Sequence, residues 1–167
     1  MAIRNTNKTE IILGIDPGYD RVGWAIAQKN GAQFTCVALG TIQTDKHAEI
    51  FNRFKQIQSD LQEIIEHFKP TQLAIETLFF SKNKKTAMRV SEARGVIIGT
   101  CLNHDLQVFE YDPVQIKVSV TGNGAADKEA VEKMVKIQVA GSVNKHIDDA
   151  IDAVAIAMTH CVTHRLL

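Results

Sequence analysis

The sequence predicts an α/β domain built on a mixed five-stranded sheet, an antiparallel meander followed by parallel strands, with helices on both faces. Three strand-like stretches within residues 11–42 are separated by turn signals. From residue 50 onward, helical periodicity alternates with short apolar strands. The chain has 167 residues, of which 45% are hydrophobic, so it is long enough for one full core, and no linker divides it.

The meander begins with a continuous apolar run at residues 11–15, which stops at Asp16-Pro17-Gly18. This is the profile of a buried strand that is ended by a turn. Two further strands are predicted at residues 22–27 and 34–42, and the Asn30-Gly31 pair between them is a strong hairpin signal. Asp16 is therefore expected at the end of a buried strand.

The rest of the chain changes from strand to helix periodicity. Apolar side chains recur three and four residues apart over residues 50–68, which predicts a long helix that Pro70 ends. A short buried strand at residues 73–75 then stops at Glu76. The remaining predicted elements are a helix over 84–102, a strand over 107–111, a short helix that begins at Pro113, and two final helices over 126–139 and 147–163.

The overall charge is balanced, since 19 Lys and Arg face 19 Asp and Glu. Taken as a total, this argues against a nucleic-acid-binding protein, because such proteins usually carry a basic surplus. The three cysteines lie far apart without the spacing of a zinc site, and we expect them to be buried in a reducing compartment. Residues 1–9 are polar and are expected to form a flexible tail before a single domain at residues 10–167. No apolar stretch is long enough to span a bilayer, so a cytoplasmic protein without membrane contact is expected.

Carboxylates stand at the ends of several predicted elements. Asp16 and Glu76 end two strands, and Asp149 and Asp152 lie three residues apart near the start of the last helix. Asp148 could face the same site, because it stands four residues before Asp152. Gathered carboxylates repel one another unless a cation joins them, and oxygen ligands without His or Cys favour Mg²⁺ or Mn²⁺. Two such ions would support hydrolysis of a phosphodiester.

Each acidic residue also has an ordinary explanation. Asp16 could begin a turn, Glu76 could be a surface strand end, and the helical acids could interact with the helix dipole. Taken together these explanations are weaker, because each acidic group stands directly against an apolar run.

The order of short motifs resembles the RuvC-type Holliday-junction resolvases of the retroviral-integrase and ribonuclease-H-like superfamily. The resemblance extends from Ile11 to Cys161. The motifs that carry it are Gly14-Ile15-Asp16-Pro17-Gly18 with Gly23, Ala74-Ile75-Glu76 with Phe79, Ala93-Arg94-Gly95-Val96, Tyr111 with Gln115 and Lys117, Gly122-Asn123-Gly124 with Lys128, and Asp149-Ala150-Ile151-Asp152-Ala153 followed by Ala155-Ile156-Ala157. The ordered set is specific, although the first motif is weak alone.

The resemblance implies a homodimeric, Mg²⁺-dependent endonuclease of ribonuclease-H-like fold. Such an enzyme cuts four-way DNA junctions by paired symmetric nicks in recombination and repair. It implies two Mg²⁺ ions in each site, with Mn²⁺ able to substitute, held by Asp16, Glu76, Asp149 and Asp152. The D-x-x-D spacing of the family selects Asp149 over Asp148. The implied partners are a second copy, with residues 88–95 as the expected contact region, and a branch-migration complex of the RuvA and RuvB type.

Basic and aromatic residues follow Glu76 closely. The segment from Thr77 to Gly95 has five basic residues and one acidic residue, which suits DNA phosphates and unpaired bases. Phe79 matches the aromatic residue that the family inserts into junctions, and two later lysines match its basic positions near the metals. The predicted DNA contacts are Phe79, Lys82, Lys84, Lys85, Arg89, Lys117 and Lys128. The alternative is that the phenylalanines are core residues and the lysines are solvated.

The zero net charge no longer argues against DNA binding if four acidic residues form a metal site, because the remaining 15 leave a surplus of four positive charges.

We expect His146 and His160 to be structural. Two other functions stay open: a nuclease of the same superfamily that acts on structured RNA, and a junction-binding module without hydrolytic activity. The second would be expected to lack an acidic ligand, and all four are present.

Overall fold

The structure is a computed structural model, and it describes residues 9–30, 33–78, 84–139 and 148–164. One mixed sheet of five strands runs through these residues in the order β3-β2-β1-β4-β5. The strands are β1 Glu10–Asp16, β2 Arg21–Asn30, β3 Gln33–Gln43, β4 Gln72–Glu76 and β5 Gln107–Tyr111. The first three pair antiparallel, whereas β4 is parallel to β1 and β5 is parallel to β4. The predicted mixed sheet is therefore confirmed.

The register of β1 and β4 brings two acidic residues to one edge of the sheet. Ile15 of β1 pairs with Ile75 of β4, and the two strands run in the same direction. The next residues along the chain are Asp16 and Glu76, so both strands end in a carboxylate at the same edge. β2 lies on one side of β1 and β4 on the other, and such a change of strand order is the usual place for a ligand site in α/β folds.

Helices cover both faces of the sheet. Since side chains alternate along a strand, Leu13 and Ile15 of β1 point to one face and Ile12 to the other. The first face packs against α1 and α2, and the second packs against α3, α4 and α5. The helices are α1 Ile50–Phe68, α2 Lys84–Asn103, α3 Pro113–Thr121, α4 Lys128–Gln138 and α5 Asp148–Thr163.

Helix α5 lies unusually close to the strands because both surfaces carry small residues. A side chain at Gly14 of β1 would come within 2.4 Å of the Ala153 carbonyl oxygen. At Gly23 of β2 it would come within 1.9 Å of the Asp149 carbonyl oxygen. The two glycines therefore set the height of α5 above the sheet, and with it the position of the acidic residues in its first turns.

Other expectations have mixed outcomes. All three cysteines are buried, as expected. Helix α4 begins two residues later than predicted, because the Asp127 side chain accepts a hydrogen bond from the backbone N–H of Ala130 and so caps the helix at residue 127. None of the described helices has the length and apolar character needed to cross a membrane. The predicted tail, apart from Thr9, lies outside the described residues.

Candidate active site

Four carboxylates from two strands and one helix share an electrostatic environment at the edge of the sheet. Burial and, after it, the charges of Asp152, Glu76 and Asp149 together raise the pKa of Asp16 to about 7. Burial and the charge of Asp152 also raise the pKa of Glu76. The structure thus brings together the four acidic residues that the sequence singled out.

The structure distinguishes the two neighbouring aspartates at the start of α5. Successive residues of a helix are about 100° apart around its axis, so Asp148 and Asp149 cannot face the same way. The Asp148 side chain is 67% exposed, whereas that of Asp149 is 19% exposed. The charge of Asp149 also contributes to the raised pKa of Asp16. Asp149 therefore faces the cluster and Asp148 lies at its rim.

An arginine that the sequence did not single out lies beside Asp149. The Arg21 Nε atom is 2.9 Å from Asp149 Oδ2. Arg21 begins β2, directly after the turn that follows Asp16, so the hairpin brings it to the same edge. The available signal was its place at the start of the strand after Asp16, but nothing local indicates that it faces an aspartate in the last helix.

On the other side of the cluster, Lys128 donates a hydrogen bond of 3.0 Å to Asp152 Oδ2. Lys128 is the first residue of α4, so the start of this helix faces the first turns of α5. Burial raises the pKa of Asp152 even though this hydrogen bond and the charge of Lys128 oppose the rise. The acidic cluster is thus partly neutralised by one cation on each side.

A hollow of about 230 Å³ opens beside the carboxylates. Glu76 and Asp152 line one part of it, and Lys117 of α3 and Lys128 of α4 line another. The remaining lining residues are Pro113, Ile116, Val131 and Ala155. The two ammonium groups suit a phosphate group bound in the hollow. The two carboxylates suit a cation bound next to that phosphate.

The chemistry of the donors fits a hard divalent cation. Asp149 Oδ2 is buried and receives no hydrogen bond, although it forms an ion pair with Arg21. Within the described ranges, no three His, Cys, Asp or Glu side chains are gathered as a complete ligand group. Two of the carboxylates have cationic partners instead: Asp149 Oδ2 lies 2.9 Å from Arg21 and Asp152 Oδ2 lies 3.0 Å from Lys128. A metal ion would have to replace these partners.

The basic segment after Glu76 is only partly described. Phe79 and Lys82 lie outside the described residues, and so do the side chains of Lys84 and Lys85, which begin α2. Arg89 forms an exposed ion pair of 2.7 Å with Glu92. Its predicted DNA contact stays a prediction.

Arg94, which belongs to the same basic segment, has both of its partners within the protein. Its Nε donates a hydrogen bond of 3.0 Å to the Glu76 carbonyl oxygen. Its guanidinium also forms an ion pair with Glu110 of β5. Arg94 therefore stabilises the end of β4 beside the carboxylate cluster.

His160 is structural, as expected. It is fully buried in α5. Its Nδ1 is 2.6 Å from the Tyr111 hydroxyl and its Nε2 is 2.8 Å from Gln72 Oε1. A neutral ring that accepts at Nδ1 and donates from Nε2 satisfies both partners. His146 lies outside the described residues.

Comparison with known proteins identifies the family. The family described as Crossover junction endodeoxyribonuclease RuvC matches residues 12–160. A protein of that description from Pseudothermotoga lettingae is 41% identical over 156 residues, which cover 93% of this chain and 96% of that protein. A second, from Caldicellulosiruptor saccharolyticus, is 44% identical over 153 residues, 91% of this chain and 92% of that protein.

The likeness extends to three dimensions. The structure of T. thermophilus RuvC in complex with a Holliday junction substrate superposes with a TM-score of 0.87 at 26% identity. The superposition covers 94% of this chain and 96% of that chain. The matched range runs from β1 into α5 and includes all four carboxylates. The chain therefore belongs to the RuvC family of crossover junction endodeoxyribonucleases.

Proposed function

We propose that this protein is a Mg²⁺-dependent endonuclease that resolves four-way DNA junctions. The observation that carries the proposal is the convergence of Asp16, Glu76, Asp149 and Asp152 at one edge of the sheet, where the charges of the other three raise the pKa of Asp16. The structure of a family member in complex with a Holliday junction supports the substrate.

The four carboxylates would hold two Mg²⁺ ions, with Mn²⁺ able to substitute. Bound there, the ions would supply a nucleophilic water at neutral pH and would stabilise the leaving oxygen of an in-line displacement at phosphorus. Oxygen donors without a neighbouring His or Cys suit these hard cations. The buried Oδ2 of Asp149 receives no hydrogen bond, so an ion that bound there would replace only the ion pair with Arg21.

The lysines of the hollow would hold the scissile strand. Lys117 and Lys128 come from two helices and line the hollow that also contains Glu76 and Asp152. Their ammonium groups attract the phosphate and stabilise the negative charge that grows on it during displacement. With metal on the carboxylates, Lys128 would no longer be needed as the partner of Asp152, and its three donors would be available to the DNA backbone.

The other partners follow from the same reaction. Two nicks on opposing strands require two active sites related by a two-fold axis, so the acting form would be a homodimer. The exposed Met88 in α2 lies in the expected contact region. Phe79, Lys82, Lys84, Lys85 and Arg89 would contact the opened junction. We infer a cytoplasmic location and a branch-migration partner of the RuvA and RuvB type.

The test offers three substrates in parallel with Mg²⁺: a synthetic four-way junction, a matching duplex and a structured RNA. Each strand is labelled in turn, so that the nick positions can be mapped. The expected result is a pair of symmetric nicks in the junction alone. Cleavage of the RNA alone, or no cleavage of the junction, would overturn the proposal.

Two variants assign the activity to the cluster. Asp16→Asn should abolish cleavage and preserve junction binding, because it removes a metal ligand together with a charge that repels phosphate. Asp148→Asn is the matched control, since it removes a carboxylate from the rim of the cluster, and it should leave cleavage close to that of the wild type. An Asp16→Asn protein that cuts at the wild-type rate contradicts the metal assignment.

A further inference from the structure

Arg53 in the first turn of α1 is a buried cation close to the active-site edge. Its exposed fraction is 6%, and in the described part of the chain Lys29 is the only other Lys or Arg that is buried. A buried charge is costly unless its donors are satisfied and a counter-charge lies beside it. The partners of Arg53 therefore indicate what it holds in place.

The guanidinium of Arg53, in α1, contacts the turn between β1 and β2. Its Nη2 donates a hydrogen bond of 2.9 Å to the Tyr19 carbonyl oxygen and pairs with the Asp20 carboxylate. It also lies over the Tyr19 ring, 5.0 Å from the ring centroid. The planar fork of one arginine thus binds a carbonyl, a carboxylate and an aromatic face of two adjacent residues.

Thr44, which follows β3, connects Arg53 to the same turn. Its hydroxyl accepts a hydrogen bond of 2.9 Å from Arg53 Nε and donates one of 2.7 Å to the Tyr19 carbonyl oxygen. Its backbone N–H donates a hydrogen bond of 3.0 Å to the Asp20 carbonyl oxygen. Two segments of the chain, the start of α1 and the residue after β3, therefore hold Tyr19 and Asp20 of the turn.

Those four residues are all that separates two members of the active-site edge. Asp16 ends β1 immediately before the turn, and Arg21 begins β2 immediately after it. Arg21 is the cationic neighbour of Asp149, so the turn adjoins one carboxylate directly and is linked to a second through Arg21. A shift of the turn would move both.

We propose that Arg53 is a positioning residue for the metal site, because it holds the turn that joins Asp16 to Arg21. The inference rests on the proposed function, since it assumes that Asp16 and Asp149 hold metal. Arg53 touches no substrate in this arrangement and acts through the turn alone. Its removal should therefore weaken both metal binding and the stability of the fold. The removal of a residue that only supports the fold would lower stability alone.

Lys29 provides the matched control. It is buried at the opposite end of the same hairpin, where Glu10 pairs with it in register. Its Nζ lies 3.7 Å from Glu10 Oε2 and donates a hydrogen bond of 3.1 Å to the His164 carbonyl oxygen. Lys29→Met should destabilise the protein without displacing the turn after Asp16.

The experiment compares Arg53→Lys, Arg53→Met, Asp20→Ala and Lys29→Met in the full chain. Mn²⁺ binding is measured from the electron paramagnetic resonance signal of the free ion, thermal unfolding is followed without metal, and junction cleavage is measured over a Mg²⁺ series. Asp20→Ala changes an exposed side chain, so it keeps the test valid if Arg53→Met does not fold. Arg53→Lys keeps the charge but lacks the planar fork.

We expect Arg53→Met and Asp20→Ala to weaken Mn²⁺ binding roughly tenfold and to raise the Mg²⁺ midpoint of cleavage by a similar factor, the low end of what the loss of a direct partner of a metal ligand costs, because Arg53 acts through the turn. Arg53→Lys should fall between them and the wild type. Lys29→Met should lower the unfolding temperature and leave Mn²⁺ binding unchanged. Wild-type Mn²⁺ binding by Asp20→Ala and by every folded Arg53 variant, or an equal loss in Lys29→Met, would overturn the inference.

Asp16→Asn separates this inference from the proposed function. If Asp16→Asn abolishes Mn²⁺ binding while the Arg53 and Asp20 variants bind as the wild type does, the metal site stands and the role of Arg53 fails. If Asp16→Asn binds Mn²⁺ as the wild type does, or the wild type binds none, the proposed metal site fails and the inference fails with it.

Discussion

The Lys128 ammonium lies 3.0 Å from the Asp152 carboxylate, so a cation from the start of α4 neutralises an acidic residue of α5. Lys128 also lines the hollow beside Glu76. The same ammonium group can therefore pair with Asp152 when no metal is bound. It would be free to contact phosphate when metal takes its place on the carboxylates.

The dual position of Lys128 predicts opposite effects of Lys128→Met on two measurements. Junction cleavage should fall by roughly 10- to 100-fold, because a cation next to the developing charge is lost. Stabilisation by Mn²⁺, measured as the rise in unfolding temperature, should increase because no ammonium group competes for Asp152. Lys133→Met, on the same helix, is the control and should change neither. A Lys128→Met protein with wild-type cleavage would show that the lysine does not assist the reaction.

Asp16→Asn should stabilise the protein in the absence of metal. At pH 8 an ionised Asp16 is unfavourable because it is largely buried and lies near Asp152, Glu76 and Asp149. Removing its charge should raise the free energy of unfolding by roughly 1 to 3 kcal/mol, since a pKa shift of one unit corresponds to about 1.4 kcal/mol. Urea denaturation with and without Mg²⁺ tests this. Wild-type protein should gain stability from Mg²⁺, and equal gains in the variant would contradict the assignment.

Gly23→Ala should push the first turn of α5 away from the sheet. A side chain there would come within 1.9 Å of the Asp149 carbonyl oxygen, so the first turn of α5 must move. We expect a loss of roughly 1 to 3 kcal/mol in the free energy of unfolding, as for other overpacked positions, together with weaker Mn²⁺ binding. Gly99→Ala is the control: a side chain at Gly99 in α2 would meet nothing within 4 Å and should be neutral or stabilising. A Gly23→Ala protein as stable as the wild type would show that the close contact can relax at little cost.

His160 should make stability fall in acid. Burial, then the charges of His164 and Lys29, lower the pKa of His160 to about 4. The unfolded chain takes up a proton near pH 6.5 and the folded chain near pH 4, so stability is full above pH 6.5 and is lost as the pH falls between these values. The loss approaches about 3 kcal/mol.

The control for this effect is His160→Gln, which keeps a donor and an acceptor without a titrating ring. It should be less stable than the wild type at pH 7 but should lose less stability between pH 7 and pH 4.5. Guanidinium denaturation at the two pH values measures both. An equal loss in the variant and in the wild type would mean that His160 does not cause the pH dependence.

The elements of the fold could be predicted closely because each is encoded in local periodicity. The predicted helix over residues 50–68 coincides with α1, and the predicted strand over 107–111 coincides with β5. Asp16 and Glu76 could be placed at strand ends for the same reason. That they lie side by side depends on the parallel register of β1 and β4, which no local pattern specifies.

The arginine partners of the acidic residues could not be predicted, whereas Lys128, the partner of Asp152, was expected near the carboxylates from the family resemblance. Arg21 and Asp149, like Arg53 and Asp20, lie far apart in the sequence, and each charged residue taken alone resembles an ordinary surface group. Helix geometry alone leaves the choice between Asp148 and Asp149 undecided, and only the family resemblance selects Asp149. The orientation of α5, which places Asp149 toward the cluster, depends on the contacts of Gly14 and Gly23 with that helix.

The most direct test of the metal site is anomalous X-ray diffraction from crystals of the protein grown with Mn²⁺. We predict Mn²⁺ peaks bounded by Asp16, Glu76, Asp149 and Asp152, with Arg21 and Lys128 no longer paired with the aspartates. Mn²⁺ bound elsewhere on the protein, with both ion pairs intact, would contradict the account.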